Sequence, residues 1–268
     1  VTENQPDRKL HWREYECEFL GTALLCLCGL SAVTFDFGRG LPMERWIPSE
    51  SARLLITGIL FAGSGSLIAI SGIGKRSGAH LNPSVTLAFW VGRKMHRGDA
   101  LGYILAQFAG ATLGAAAVAF IWNRYAMSVN FGMTLPGESY GRWRAFGAEF
   151  LMTWGYISLI FYFVSHRNLM RKTPLMNWLV VATLVWVEAP VSGTSLNAAR
   201  SFGPAVVANF WPNQWIYLVA PSMGGILAAI TYPLLHRGKI LTGKLFHSPN
   251  YPSVFKNVPH PEELHSVD

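Results

Sequence analysis

Apolar residues in this chain come in long blocks rather than singly alternating positions. Six blocks are long enough to cross a bilayer as helices, running from about Tyr15 to Phe35, Leu54 to Ile73, Ala100 to Trp122, Phe146 to Val164, Leu175 to Pro190 and Trp215 to Leu235. A hydrocarbon core needs about 20 mostly apolar residues from a spanning helix. The fifth block is short and is extended by its neighbours. Two further apolar segments, Pro83 to Val91 and Ala198 to Phe210, cover about half a crossing each, and a polar residue opens both. Segments of that kind are candidates for re-entrant helices, which a membrane tolerates only where protein or a cavity surrounds them.

Composition agrees with a membrane assignment. Hydrophobic residues make up 51% of the chain and charged residues 14%, against roughly 25% charge in soluble domains. The net charge of +7 does not point to nucleic acid, because Lys and Arg sit in short clusters beside the apolar blocks. If both termini are cytoplasmic, fifteen of the 22 basic residues fall on the cytoplasmic side, as the positive-inside rule requires. That orientation demands an even number of crossings. Residues 1–13 then form a cytoplasmic segment without secretory-signal character, and 236–268, rich in Pro, His and Ser, an irregular cytoplasmic tail without a core of its own. Cys17, Cys26 and Cys28 lack a C-x-x-C spacing and read as small apolar helix residues. Neither they nor the tail histidines suggest a metal site, and nothing in the chain calls for a cofactor.

The halves echo one another. Glu18-Phe19-Leu20-Gly21-Thr22 opens the first crossing and Glu149-Phe150-Leu151-Met152-Thr153 the fourth. His80-Leu81-Asn82-Pro83-Ser84 begins one short segment and Ser195-Leu196-Asn197-Ala198-Ala199 the other, each after the second crossing of its half. Three crossings per half place the second half upside down, so the short helices enter from opposite faces and meet at the midplane. Asn followed by Pro is a helix start: Asn82 caps, and Pro83 at the first position loses no hydrogen bond. The amide NH2 groups of Asn82 and Asn197 are left over as donors that converge, with two positive helix ends, on one point. A water there presents its oxygen to both amides, and a cation is repelled.

The segments Ser77-Gly78-Ala79-His80-Leu81-Asn82-Pro83-Ser84-Val85-Thr86 and Asn197-Ala198-Ala199-Arg200-Ser201-Phe202-Gly203 resemble the paired Asn-Pro-Ala boxes of the aquaporin, or major intrinsic protein, family. The likeness takes in Glu18, Glu149, Tyr103 to Gln107, Pro221 and Gly224-Gly225, and covers about residues 14 to 235. It implies an all-α membrane protein with six transmembrane helices and two re-entrant half-helices in an inverted repeat (repeat 1 about 14–125, repeat 2 about 144–235). It also implies a homotetramer in the plasma membrane that passes water and small neutral solutes. This chain departs from the family pattern at Ser84, where the first box usually has Ala, and at Ala198, where the second usually has Pro. Ala does not preset the entry angle, so the half-helix survives with a looser junction at the centre.

Carried over residue by residue, the family's selectivity filter falls on Arg200, Thr194, Val185 and Ala62, or Phe61 if one residue is inserted in the second crossing. Val185 stands where water-selective members carry His, which removes a polar ring and widens the opening towards polyols, urea or metalloid acids. Against a glycerol specialist, Ser201 follows Arg200 where glycerol-conducting members usually have Asp. A charge such as Arg200 in apolar surroundings is expensive and marks function. Glu18 and Glu149 read as structural carboxylates for exposed loop N–H groups rather than a proton relay. Glu188 is either a vestibule charge or a structural partner, and His80 a hydrogen-bonded loop spacer. A secondary transporter also uses inverted repeats and half-helices, but predicts saturable, ion-coupled uptake. An intramembrane enzyme lacks any Ser/His pair or metal cluster in matched crossings.

Overall fold

The computed structural model describes residues 10–236, 239–246, 248, 251 and 253–256. Among these residues it is all helix and connection. Six helices long and apolar enough to span a membrane are α1 (Trp12–Phe37), α2 (Glu50–Ile70), α4 (Arg97–Trp122), α5 (Gly141–Val164), α6 (Thr173–Ser192) and α8 (Gln214–Leu235). Two short buried helices, α3 (Pro83–Val91) and α7 (Ala198–Ala208), precede the last crossing of each half. The chain is an integral multi-pass membrane protein.

Several boundaries differ from those read off the hydropathy, each for a local reason. α2 stops at Ile70 rather than Ile73 because Ser71 is extended (ψ 173°), and its hydroxyl caps a separate short helix, Gly72–Ser77. α4 starts earlier, at Arg97, where the His96 ring accepts from Gly98 N–H at 3.2 Å. α6 continues past Pro190 to Ser192 and ends at Gly193 in the left-handed conformation. Gly193 N–H bonds back to the Ala189 carbonyl, a common helix stop.

The packing follows the internal symmetry. α1 lies against α4 as α5 lies against α8; α3 packs on α8 as α7 packs on α4; and α2 meets α6 across the pseudo-twofold axis. Lipid tails give no hydrophobic drive between helices, so close approach rests on small residues. Gly110 and Gly114 let α4 settle onto the backbone of α1 at Phe19 and Ala23, leaving no room for a Cβ at either position. Large apolar side chains such as Leu101, Leu105, Leu151 and Leu179 face outward, the pattern of a surface solvated by lipid.

The segment after α8 is irregular, yet its described part is packed onto the helix bundle. Ile240, Leu245 and Phe255 are buried, Leu245 N–H bonds to the Gly78 carbonyl at 2.9 Å and Lys256 N–H to the Lys94 carbonyl at 2.8 Å. Lys244 donates from Nζ to the Lys75 carbonyl at 2.7 Å, and its burial pushes the ammonium pKa down to about 8. The described part of the tail thus shares the core at that end of the bundle instead of standing apart. Residues 1–9 of the N-terminal segment and the tail histidines His247, His260 and His265 lie outside the described residues.

Substituting Gly110→Val should force α4 away from Phe19 and lower stability in detergent by about 1–3 kcal/mol. Gly155→Ala, where nothing lies within 4 Å of an added Cβ, should leave thermal unfolding unchanged or slightly raised.

Candidate functional site: a lumen through the junction of two half-helices

The loops leading into the half-helices share one backbone trace. Gly78 (φ 93°), Ala79 (φ 55°) and Leu81 (φ 49°) are matched by Gly193 (φ 82°), Thr194 (φ 49°) and Leu196 (φ 55°), all left-handed. Non-glycine residues in that region cost about 1–3 kcal/mol and persist only where the surroundings over-determine them. Here two carboxylates do so. Glu18 on α1 accepts from the N–H groups of His80 (3.1 Å) and Leu81 (2.7 Å), and Glu149 on α5 from those of Ser195 (2.6 Å) and Leu196 (2.9 Å). Both are fully buried. Their remaining acceptor sites are used as well, by the Gln107 amide at 2.7 Å and the Ser192 hydroxyl at 2.6 Å. Tyr103 and Tyr217 complete the parallel, donating to the carbonyls of Ser77 and Ser192, each at 2.7 Å.

Beyond each braced loop, an asparagine caps a half-helix. Asn82 Oδ1 accepts from Ser84 N–H at 2.8 Å; Asn197 Oδ1 accepts from Ala199 at 3.0 Å and Arg200 at 3.3 Å. The amide nitrogens are not both wholly left over for the lumen, as the sequence suggested. Asn82 Nδ2 donates to the Leu196 carbonyl at 2.8 Å and Asn197 Nδ2 to the Leu81 carbonyl at 2.7 Å. Each NH2 carries two donors, so one N–H locks the loops to each other and the second remains. These reciprocal bonds are nearly equal in length, which shows no loosening on the Ala198 side. Pro83, Ser84, Ala198 and Ala199 are buried at the junction.

A lumen of about 320 Å³ follows this seam. Its wall takes in Phe37, Glu50 and Leu54, the two asparagines Asn82 and Asn197, and His80 and Leu245. Arg200, Thr194, Val185, Ala62 and Phe61 all line it. Arg200 donates to the Gly132 carbonyl at 2.9 Å, and its guanidinium carbon stands 5.2 Å from the centre of the Phe61 ring, within cation–π range. Ala62 and Phe61 both reach the lumen. Ala62 forms wall, while Phe61 leans over Gly29 of α1 and meets the arginine. Val185 approaches α2 where Gly58 leaves space.

His80 is buried and hydrogen-bonded on both sides, to Thr86 Oγ1 at 3.1 Å and the Gly243 carbonyl at 2.9 Å, with its ring stacked on Phe89. Glu188 sits beside the lumen wall and accepts from Thr194 Oγ1 at 2.7 Å. Two contributors escape a reading of the sequence. One is Gly132, in the connection between the halves, whose carbonyl holds Arg200. The other is the hydroxyl chain Thr134–Ser201–Ser195 behind the second loop, linked at 2.7 and 2.6 Å. Only the polar character of Ser195 and Ser201 in an apolar segment hints at the latter.

The family model of the Major intrinsic protein matches residues 6–232. The chain belongs to the major intrinsic protein family. Members are channels rather than enzymes. The chain is 31% identical over 227 residues to a lens fiber major intrinsic protein of Gallus gallus, covering 83% of this chain and 81% of that one. It is 33% identical over 225 residues to a glycerol uptake facilitator protein-like 6 of Lactiplantibacillus plantarum, covering 81% and 95%. The crystal structure of an aquaglyceroporin from Plasmodium falciparum superposes with a TM-score of 0.69 at 23% identity, over 84% of this chain and 99% of that one. That last likeness is one of fold.

Replacing Glu149 by Gln should destabilise the protein by about 2 kcal/mol or more, since an amide offers one acceptor oxygen where two N–H groups need one each and sets its own NH2 against the other. Glu18→Gln should act alike. Thermal unfolding in detergent, with water flux in proteoliposomes, checks this: both readouts fall, and an unchanged pair contradicts the bracing role.

Proposed function

We propose that this protein is a passive channel for water and small uncharged solutes that excludes protons and ions. The observation that carries the reading is the pair of asparagine amides, each bonded to the opposite half-helix loop, beside a lumen that Arg200 also lines. A water at the junction accepts from the remaining N–H of each amide, so its own hydrogens point away and the chain of proton donors is interrupted there. A cation meets two half-helix N-termini and a guanidinium, all of positive sign.

In this reading Arg200, Thr194, Val185 and Ala62, with Phe61 under the arginine, form the selectivity filter. Asn82 and Asn197 are the pore donors, the motif residues Pro83, Ser84, Ala198 and Ala199 shape the half-helices, and Glu18 and Glu149 hold the loops. The channel domain spans about residues 14–235, flanked by cytoplasmic segments 1–13 and 236–268. The distribution of Lys and Arg supports cytoplasmic termini, and the plasma membrane is the setting we assign. Family membership supports a homotetramer.

A second reading, conduction mainly of glycerol, urea or metalloid acids, draws on one specific feature. Val185 and Ala62 leave part of the lumen wall apolar and without a ring. The similarity to a protein named for glycerol uptake points the same way.

Stopped-flow swelling of proteoliposomes with water, glycerol and urea separates the two. Flux should be linear in the gradient and indifferent to sodium or proton gradients; saturable, ion-coupled uptake would indicate a transporter instead. Val185→His should cut glycerol and urea permeability roughly tenfold more than water permeability, because the ring obstructs the larger solutes. Equal loss of all three would contradict a filter at that position.

A further inference from the structure

Glu188 follows Val185 by one helical turn of α6 and is buried, with 8% of its surface exposed. Its Oε2 accepts the Thr194 hydroxyl proton at 2.7 Å, while Oε1 is enclosed without a hydrogen-bond partner. A hydroxyl has one proton and two lone pairs. With the proton committed to Glu188, Thr194 Oγ1 has only acceptor capacity left to offer the lumen it lines. Arg200 lines the same lumen and can only donate, with one N–H already given to Gly132.

The inverted repeat supplies an internal comparison. Thr194 occupies the place that Ala79 occupies in the first loop, three residues before its asparagine, and both are left-handed. A β-branched residue is a genuine outlier in that conformation. Ala79 shows that the loop forms with no hydroxyl there, so the fold does not require one. Counted back from the asparagines, the position matching Glu188 is Ile73. The carboxylate–hydroxyl pair therefore belongs to one half alone, the half that carries Arg200.

We propose that Glu188 is a positioning residue for solute selectivity: it fixes the Thr194 hydroxyl as an acceptor beside the Arg200 donors. The lumen then favours small solutes that combine an acceptor with a donor, such as amides and polyols. These are larger than water and depend more on wall contacts to replace their hydration. The proposal rests on the filter reading given above, and its test keeps the two separable.

The test is the ratio of urea to water permeability, measured in the same proteoliposomes so that the amount of folded protein cancels. Wild type is compared with Glu188→Ala, Thr194→Val and the double variant. Each single change should lower the ratio roughly three- to tenfold, the range of one net hydrogen bond. The double variant should fall no further, because both changes remove one interaction. If Thr194→Val lowers the ratio while Glu188→Ala does not, or if the two losses multiply, the role of Glu188 is overturned and the filter reading stands. If Thr194→Val leaves the ratio unchanged, the filter reading fails and the proposal falls with it.

Discussion

Backbone N–H groups in the middle of a bilayer have no water to turn to, and a loop there survives only if protein satisfies them. Glu18 and Glu149 meet that constraint in this protein. Each carboxylate accepts two consecutive N–H groups of a left-handed loop from one side. With the donors drawn towards the carboxylates, the loops can present backbone to the lumen they line. The isolated charge would be costly in hydrocarbon, but neither carboxylate is isolated, since Gln107 and Ser192 use further acceptor sites.

From those two anchors the rest of the site follows in order. Braced loops bring Asn82 and Asn197 to one junction, and each asparagine caps its half-helix while donating to a carbonyl of the opposite loop. The second half-helix then delivers Arg200 to the stretch of lumen where Thr194, Val185, Phe61 and Ala62 also lie. Small residues at the helix contacts let the surrounding crossings close on this seam without filling it. The near-identical φ values of the two loops show how strictly the constraint acts, because sequences as different as Gly78-Ala79-His80-Leu81 and Gly193-Thr194-Ser195-Leu196 adopt one trace.

The hydropathy blocks located all six crossings and both half-helices, because a lipid-facing helix is specified locally by its length and apolarity. Helix ends were less legible: Ser71 stops α2 early through its own side chain, and Gly193 lets α6 outlast Pro190. The Asn-centred repeat exposed the junction, since an asparagine cap is a local signal. Where each amide sends its hydrogens was not readable, because that depends on a carbonyl more than a hundred residues away. The same holds for the Gly132 carbonyl that holds Arg200, for the approach of Phe61 to the guanidinium, and for the docking of Leu245 and Phe255 against the channel end. All of these are set by tertiary packing, with no mark in the local pattern.

The central claim, that two carboxylate-braced loops meet through their asparagines around an open file for water, is tested most directly by an experimental structure in a lipid bilayer at a resolution that shows ordered water. It should place Asn82 Nδ2 and Asn197 Nδ2 within hydrogen-bonding distance of the Leu196 and Leu81 carbonyls, with water density running unbroken past both side chains. Amides separated from those carbonyls, or a seam closed by side chains at the midplane, would contradict the account.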